Sequence, residues 1–320
     1  MSSQLKEPIF LLGNVRSGTT LVQDLFAIHP DVTPWFEPRT VWAYADPGRD
    51  HDRFVEADAR PRVARYIRKR FLKHQNEHGG LRVMEKTPSN LMRVPYMHSI
   101  FPESKYVYVV RHPFSYLSSA EFRWRQAVHL RRVLERLWEA PKTQLHHYAG
   151  RLFLDHFNKK VLKRRHVSVW GVRYPGVMDD LKVLSTEQVI AKQWSECSRQ
   201  MEEDMDQIGR DRFYCLRYED LVANPIDTFT GVLTHFNLKL TDEIREALAE
   251  QIDSSRGTKW QRLNPEVLES CMPFLKDEMD RHGYSLEGLE YEQRTEQDVY
   301  QQSVESRSDI GSGGGISPLN

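Results

Sequence analysis

The sequence predicts an α/β fold, with a P-loop-like, mainly parallel sheet flanked by helices and a helical cap. Short apolar runs alternate with stretches of helical spacing, and a glycine-bounded loop joins the first run to the first helical stretch. Strands that are separated by helices return in the same direction, so their sheet is parallel and covered on both faces. A basic and aromatic stretch later interrupts this alternation, and we expect it to form the cap.

The composition is that of a globular protein without an overall charge bias. Of the 320 residues, 39% are hydrophobic and 28% are charged, which allows a sizeable core. Lysine plus arginine and aspartate plus glutamate number 45 each, so the net charge is zero and we expect no nucleic-acid partner. Any anion-binding site must therefore be local.

Cysteine spacing and hydropathy bear on location and domain organisation. The three cysteines are far apart and lack metal-ligand spacing, so we assign no metal site. Few and scattered cysteines are typical of a protein from a reducing compartment. No apolar run approaches the roughly 18 residues of a membrane span, and no signal-peptide pattern is present. We expect a cytoplasmic protein without stable membrane insertion.

We expect one domain over residues 1–290, with the cap at approximately 120–210, and a polar, disordered tail over 291–320.

Strands are predicted from apolar or β-branched runs, and helices from apolar residues at helical spacing. The predicted strands are Ile9–Leu12, Leu81–Met84, Lys105–Val110 and Phe213–Tyr218. The predicted helices are Thr20–Ile28, Arg60–Gln75, a stretch from Phe114, Glu121 to about Arg165, Ser185–Ile208, Ile226–Phe236, Thr241–Ile252 and Pro265–Arg281. The order of strand, loop and helix at the start is that of a βαβ unit.

The loop after the first strand has the glycine spacing of a nucleotide-binding P-loop. It reads Gly13-Asn-Val-Arg-Ser-Gly-Thr-Thr20, and its glycines let backbone N–H groups turn toward an anion at the start of the next helix. An ATP-binding loop carries lysine directly after its second glycine, but here that position is Thr19, and a cation, Arg16, lies inside the loop. The pattern predicts a P-loop-like anion site, with an ordinary strand-to-helix turn as the alternative.

A second anion site is indicated at the end of the strongest predicted strand. Arg111 follows Lys105–Val110, and ligands of open α/β sheets bind at the carboxyl ends of the strands. Ser119 lies about two turns into the next helix. Together with the loop that contains Arg16, this segment resembles the sulfotransferases that use 3′-phosphoadenosine 5′-phosphosulfate (PAPS). The segments Ala191–Trp194 and Arg217–Pro225 are also similar to family segments, and we expect them to be mainly structural.

The resemblance implies which residues hold PAPS. In the first loop, the residues implied to hold the 5′-phosphosulfate are Arg16, Ser17, Gly18, Thr19 and Thr20. The resemblance implies that Arg111 and Ser119 hold the 3′-phosphate. The segment Ser255–Trp260 looks like the late basic loop of the family, which assigns Arg256 and Gly257 to the same phosphate. A plain basic turn is the alternative for that segment.

The chemical step needs a base for the hydroxyl proton and cations for the transferring group. Cytosolic members of the family use a histidine in a Lys-Thr-His segment, but this chain has Lys86-Thr87-Pro88. Tyrosylprotein and carbohydrate sulfotransferases use a glutamate, and Glu37 occupies the similar segment here. The resemblance therefore implies Glu37 as the base and Lys86, with Arg16, as the cations for the sulfuryl group. A solvated loop carboxylate and a surface lysine are the alternatives.

The neighbours of Glu37 suggest how it would act as a base. Trp35 and Phe36 precede it, and we expect them to raise its pKa by desolvation.

The acceptor is left open by the sequence. Tryptophans, histidines and arginines of the expected cap could line a pocket for a small molecule or carbohydrate, but core packing and a solvated basic face explain them equally well. We expect PAP as a product and a hydroxyl on a carbohydrate, lipid or natural product as acceptor, with peptide tyrosine the less favoured choice. A P-loop small-molecule kinase and a non-catalytic nucleotide-binding protein are the rival functions. Thr19 disfavours the kinase, because a kinase loop needs lysine there.

Overall fold

A five-stranded parallel sheet forms the centre of the fold. The computed structural model describes residues 4–124, 169–252 and 263–284. The strands are β1 (Ile9–Gly13), β2 (Val32–Phe36), β3 (Arg82–Lys86), β4 (Lys105–Val110) and β5 (Phe213–Arg217), in the spatial order β2-β3-β1-β4-β5. All four neighbouring pairs run parallel. The chain adds β2 and β3 on one side of β1 and β4 and β5 on the other, so β1 borders the switch point where such sheets bind ligands.

Helices connect the strands, as the alternating pattern predicts. They are α1 (Thr19–Ile28), α2 (Arg39–Trp42), α3 (Pro61–Glu77), α4 (Val94–Ile100), α5 (Pro113–Trp124), α6 (Val177–Val183), α7 (Thr186–Ile208), α8 (Tyr218–Ala223), α9 (Pro225–His235), α10 (Asp242–Gln251) and α11 (Pro265–Arg281). A capping box between Ser185 and Gln188 begins α7, and the Thr241 side chain caps α10. In this part of the chain, no helix combines the length and apolar character needed to cross a membrane.

The predicted fold class is confirmed, and four of its strands lie where the sequence predicts them. The strand β2 was not predicted, and it contains Pro34, a residue type that is rare inside sheets. Since β2 is the edge strand of the sheet, it can accommodate a residue that lacks a backbone N–H. Most of the helix predicted from Glu121 to about Arg165 falls within residues 125–168, which lie outside the described part of the chain.

The sheet lies within the compact unit Met1–His282. Alternate residues of β1 enter different cores. Phe10 packs against an aromatic cluster with ring centroids 5.5–5.9 Å away, formed by Trp42, Phe71, Phe101 and Tyr106. Ile9 and Leu11 belong to a largely aliphatic cluster on the opposite face. Because β1 is buried on both faces, the loop at its carboxyl end starts from a rigid support.

Candidate active site

The P-loop-like segment Gly13–Thr20 joins β1 to α1, and it is called the phosphate loop below for its resemblance to nucleotide-binding loops. Close contacts at both of its glycines leave no room for a side chain. At Gly13, a Cβ atom would lie 2.5 Å from Cγ2 of Thr19 and 2.8 Å from the carbonyl oxygen of Val109. Gly18 has a φ of 94°, and a Cβ atom there would overlap the ring of Tyr218. A left-handed backbone and the lack of space both favour glycine, so the loop can turn tightly between β4 and α8.

The loop also presents polar atoms at the start of α1. The backbone N–H of Ser17 donates to the carbonyl oxygen of Asn14 at 3.1 Å. The side-chain atoms Ser17 Oγ and Asn14 Oδ1 are buried, and neither has a hydrogen-bond partner among the described residues. Leaving a buried hydroxyl unsatisfied costs about 1–3 kcal/mol. An anion in the loop would accept a bond from Ser17, so the loop fits an anionic group.

The first turn of α1 completes this anion cradle. Thr19 is buried and Thr20 is exposed there. The N–H groups of a first helical turn have no intrahelical partners, and the helix dipole adds positive potential at this end. Of the loop residues predicted to hold the 5′-phosphosulfate, Ser17, Gly18, Thr19 and Thr20 therefore lie together around the start of α1.

Three of the predicted anion-binding residues form one cluster beside the loop. The Nε atom of Arg16 donates to Ser119 Oγ at 2.8 Å, and Arg111 Nη1 donates to the carbonyl oxygen of Arg16 at 3.1 Å. The guanidinium carbon of Arg111 lies 4.3 Å from the ring centroid of Tyr218. The structure thus joins the Arg111 and Ser119 pair to the phosphate loop, and it turns the side chain of Arg16 toward Ser119.

The predicted base and its cation meet at the ends of β2 and β3. A Glu37 Oε1 to Lys86 Nζ distance of 3.5 Å defines one ion pair. Arg39 forms a second, because its Nε and Nη2 atoms donate to Glu37 Oε2 at 3.0 and 2.7 Å. The Nζ atom of Lys86 also lies 4.7 Å from the ring centroid of Phe36. One carboxylate therefore faces two cations.

The backbone holds Glu37 in an uncommon conformation. Its φ is 46°, in the left-handed region where a residue with a side chain is strained by about 1–2 kcal/mol. Two hydrogen bonds fix it: the N–H of Glu37 donates to the carbonyl oxygen of Lys86 at 3.0 Å, and the N–H of Arg39 donates to that of Glu37 at 2.7 Å. Strain that the surroundings maintain in this way is common at functional sites.

The expected pKa of Glu37 was wrong in direction. Burial alone would raise the pKa of this carboxyl, but the charges and hydrogen bonds of Arg39 and Lys86 outweigh burial and hold the pKa below its usual value. The aromatic neighbours do not decide the outcome: Trp35 stacks on His74 with ring centroids 4.7 Å apart, and Phe36 is 60% exposed. Burial also lowers the pKa of Lys86, although Glu37 opposes that shift.

A second carboxyl lies next to Lys86 in β3. Glu85 is fully buried and accepts hydrogen bonds from Thr87 Oγ1 at 2.5 Å and Asn90 Nδ2 at 2.7 Å. Burial raises the pKa of Glu85 to about 7, against the opposing effect of the Thr87 hydrogen bond. Because adjacent residues of a strand point to opposite faces, Glu85 and Lys86 face different sides of the sheet. The hydrogen bonds of Glu85 with Thr87 and Asn90 fix the turn that follows β3.

A buried ionic network fixes a neighbouring loop. Asp52 accepts hydrogen bonds from the Nη2 atoms of Arg93 at 3.2 Å and Arg173 at 2.8 Å, and from Ser89 Oγ at 2.9 Å. Burial would raise the pKa of Asp52, but the two arginines hold it below its usual value. Near Arg173, a Cβ atom on Gly171 would lie 3.2 Å from the Val15 side chain of the phosphate loop. The network therefore fixes residues that border the site.

Some predicted residues lie outside the described part of the chain. They are Arg256 and Gly257 of the late basic loop, together with residues 125–168 of the expected cap. Sequence reasoning also missed Arg39 and Tyr218 as neighbours of the site. The position of Arg39 two residues after Glu37 is the only sequence signal for its contact, whereas Tyr218 reaches Gly18 from a distant segment.

The sheet and the loop at its centre define an α/β protein with a P-loop-like anion site, and sequence comparison identifies the family. The chain belongs to the sulfotransferase family, whose sequence model matches residues 8–182 and 158–242. It is therefore a transferase of that family, as the motifs predict.

Solved structures share this fold, and a curated relative matches part of the sequence. The sulfotransferase domain from the curacin biosynthetic pathway is 16% identical, with a TM-score of 0.54 over 89% of this chain and 100% of that one. The corresponding domain of the Synechococcus PCC 7002 olefin synthase is 16% identical, with a TM-score of 0.52 over 89% and 97%. At these identities the likeness shows the fold alone.

The curated relative is the nodulation protein NoeE of Sinorhizobium fredii (strain NBRC 101917 / NGR234). It is 31% identical over 130 residues, which are 36% of this chain and 31% of that protein. The match thus spans about a third of each.

Proposed function

We propose that this protein transfers a sulfuryl group from PAPS to a hydroxyl of a carbohydrate, lipid or natural product, and releases PAP. Peptide tyrosine is the less favoured acceptor. The observation that carries the proposal is the cluster of Arg16, Arg111 and Ser119 beside the phosphate loop. A donor with phosphates at both the 5′ and 3′ positions of its ribose needs two neighbouring anion sites, and the loop and this cluster supply them.

The donor site is proposed to hold PAPS by charge and by backbone. Ser17, Gly18, Thr19 and Thr20 would bind the 5′-phosphosulfate at the start of α1, where N–H groups and the helix dipole attract anions. Arg111 and Ser119 would bind the 3′-phosphate, and Arg16 would bridge the two groups from its position at Ser119. Arg256 and Gly257 are proposed to close over the same phosphate.

Glu37 and Lys86, at the ends of β2 and β3, are proposed to carry out the chemical step. Glu37 takes the proton of the acceptor hydroxyl as its oxygen attacks sulfur, and the bond from sulfur to the bridging oxygen of the donor breaks. Lys86 neutralises the negative charge that develops on the bridging oxygen, and Arg16 assists it. Glu37 is ionised at neutral pH and can accept a proton, and the ion pairs that lower its pKa also make it a weaker base than an isolated carboxylate.

An acceptor screen with ³⁵S-labelled PAPS tests this function. Purified protein is incubated with labelled donor and panels of sugars, lipids, phenols and peptides, and transfer of label is expected for one hydroxyl class. The Glu37→Gln variant is the matched control and is expected to lose the transfer. γ-Labelled ATP replaces PAPS in a parallel reaction. Transfer from ATP instead of PAPS would support the kinase, and PAP binding with no transfer in any panel would support a non-catalytic protein.

A further inference from the structure

The two oxygen atoms of the Glu37 carboxylate have different surroundings. Both guanidinium contacts of Arg39 go to Oε2, at 3.0 Å from Nε and 2.7 Å from Nη2. The other oxygen, Oε1, lies 3.5 Å from Lys86 Nζ. A carboxylate oxygen that accepts two short N–H bonds has little remaining capacity for a third donor. Oε1 is therefore the oxygen that is better able to receive a proton.

The two cations also differ in exposure. The side chain of Lys86 is 6% exposed, that of Glu37 is 21% exposed and that of Arg39 is 34% exposed. Lys86, the last residue of β3, is almost fully enclosed, whereas Arg39 is the more exposed of the two cations. The carboxylate is thus held between an enclosed cation and a more open one.

The backbone around Arg39 is held on both sides. Arg39 is the first residue of α2, a single turn whose last residue, Trp42, is fully buried in the aromatic core. The backbone N–H of Arg39 donates to the carbonyl oxygen of Glu37 at 2.7 Å. Trp42 therefore anchors the turn, and the backbone contact sets the spacing between the guanidinium and the carboxylate.

We propose that Arg39 is the positioning residue of the base: it holds Glu37 by Oε2 and leaves Oε1, on the Lys86 side, to take the acceptor proton. This inference rests on the proposed function, in which Glu37 is the base. It adds the atom that receives the proton and the residue that orients it. Proton transfer then occurs beside Lys86, the cation proposed to act on the transferring group, so one small region serves both steps.

Charged groups on three elements act on this carboxylate or on its lysine. Arg39 belongs to α2, and Lys86 and Glu85 belong to β3. Asp24 of α1 interacts with Lys86 rather than with Glu37 directly. Arg39 and Lys86 lower the pKa of Glu37 against the effect of burial. Removing the charge of Arg39 must therefore raise that pKa, and ionisation of Glu37 would be lost at a higher pH as the solution is acidified.

Two variants of the full chain test the proposal. Arg39→Met removes the charge and both hydrogen bonds, and Arg39→Lys keeps a charge without the two-pronged contact. The first readout is the ¹³Cδ titration of labelled glutamate, with the Glu37 signal assigned by its absence from Glu37→Gln. We expect the midpoint to move to higher pH in Arg39→Met and by less in Arg39→Lys. Arg199→Met, which breaks exposed pairs with Glu196 and Glu203, is the control and leaves the midpoint unchanged.

The second readout separates positioning from binding. With an acceptor from the screen, the single-turnover rate constant should fall about 10- to 100-fold in Arg39→Met, because a displaced base transfers the proton poorly. The dissociation constant for PAP should stay within about twofold, since Arg39 is assigned no donor contact. In both variants the acid limb of the pH–rate profile should move in the same direction as the NMR midpoint.

An unchanged Glu37 midpoint together with an unchanged rate constant in Arg39→Met overturns the inference. If that variant does not fold, as judged by near-UV circular dichroism, Arg39→Lys decides the question by the same two readouts. Full turnover in Glu37→Gln removes the base assignment itself, so a failure of the proposed base is distinguishable from a failure of Arg39.

Discussion

The site has two halves: Arg16, Arg111 and Ser119 at the phosphate loop, and Glu37, Lys86 and Arg39 at the ends of β2 and β3. The cations of the two halves have different partners. Beside the phosphate loop, Arg16 contacts a hydroxyl, and Arg111 contacts a carbonyl oxygen and an aromatic ring. At the ends of β2 and β3, Lys86 and Arg39 both contact the carboxylate of Glu37. In the first half the contacts described above are with a hydroxyl, a carbonyl oxygen and an aromatic ring, whereas in the second half both cations contact a carboxylate and lower its pKa.

This difference predicts different consequences for variants of the two halves. A phosphate is a stronger partner for an arginine than a hydroxyl or a carbonyl oxygen, because charge attraction adds to the hydrogen bond. Variants beside the loop should therefore change donor affinity. Variants at Glu37 and Lys86 should instead change the rate of the chemical step.

The largest effect is expected at the base. Glu37→Gln preserves shape but cannot take a proton, so turnover should fall about 10²- to 10⁴-fold while PAP affinity is retained. Steady-state kinetics and calorimetry measure the two quantities, and Glu77→Gln on the exposed part of α3 is the control. Turnover at the level of the wild type would make a histidine, such as His112, the next candidate for the base.

A smaller effect on rate is expected at the cation beside the base. Lys86→Met keeps most of the side-chain volume but removes the charge, which should lower the single-turnover rate constant at saturating donor about 10²- to 10³-fold. Donor affinity should change by less, because the charge is needed most in the transition state. Lys105→Met, at the start of β4, controls for the loss of a lysine. Equal losses in rate and affinity would make Lys86 mainly a binding residue.

The donor half is tested through its second phosphate. Arg111→Ala should narrow the preference for PAPS over adenosine 5′-phosphosulfate by about 10- to 100-fold, the equivalent of one charge-assisted hydrogen bond. Ser119→Ala should narrow it less, since it removes a neutral partner. The measurement compares kcat/KM for both donors in each variant. A preference that survives unchanged in Arg111→Ala would contradict the assignment of the 3′-phosphate.

The smallest effect concerns the shape of the loop. Gly18→Ala should lower the free energy of unfolding by about 1–2 kcal/mol from backbone strain, and further from overlap with Tyr218. Gly80→Ala is a matched control, because Gly80 also has a positive φ, of 76°, but no atom lies within 4 Å of its Cβ position. Urea denaturation measures the loss of unfolding free energy in both variants, and the difference between the two losses is the contribution of the overlap with Tyr218. Equal losses of stability would mean that Tyr218 yields without cost.

The sequence predicts the fold better than it predicts the electrostatics of the site. Strands and helices follow from local patterns, except for β2, an edge strand that accommodates Pro34. The pKa of Glu37 depends on Lys86, which is far away in sequence and reaches it only after β2 and β3 pair. Local aromatic residues suggested the opposite shift. The Tyr218 contact with Gly18 likewise depends on packing between distant segments.

The central claim is that Arg111 binds the donor whereas Glu37 acts only in the chemical step. Its most direct test is a calorimetric titration of PAP into three proteins: wild type, Arg111→Ala and Glu37→Gln. It needs no acceptor. Wild type and Glu37→Gln should bind PAP with dissociation constants within about twofold of each other, and Arg111→Ala should bind PAP about tenfold more weakly or worse. Absence of PAP binding by the wild type, or equal weakening in both variants, would contradict it.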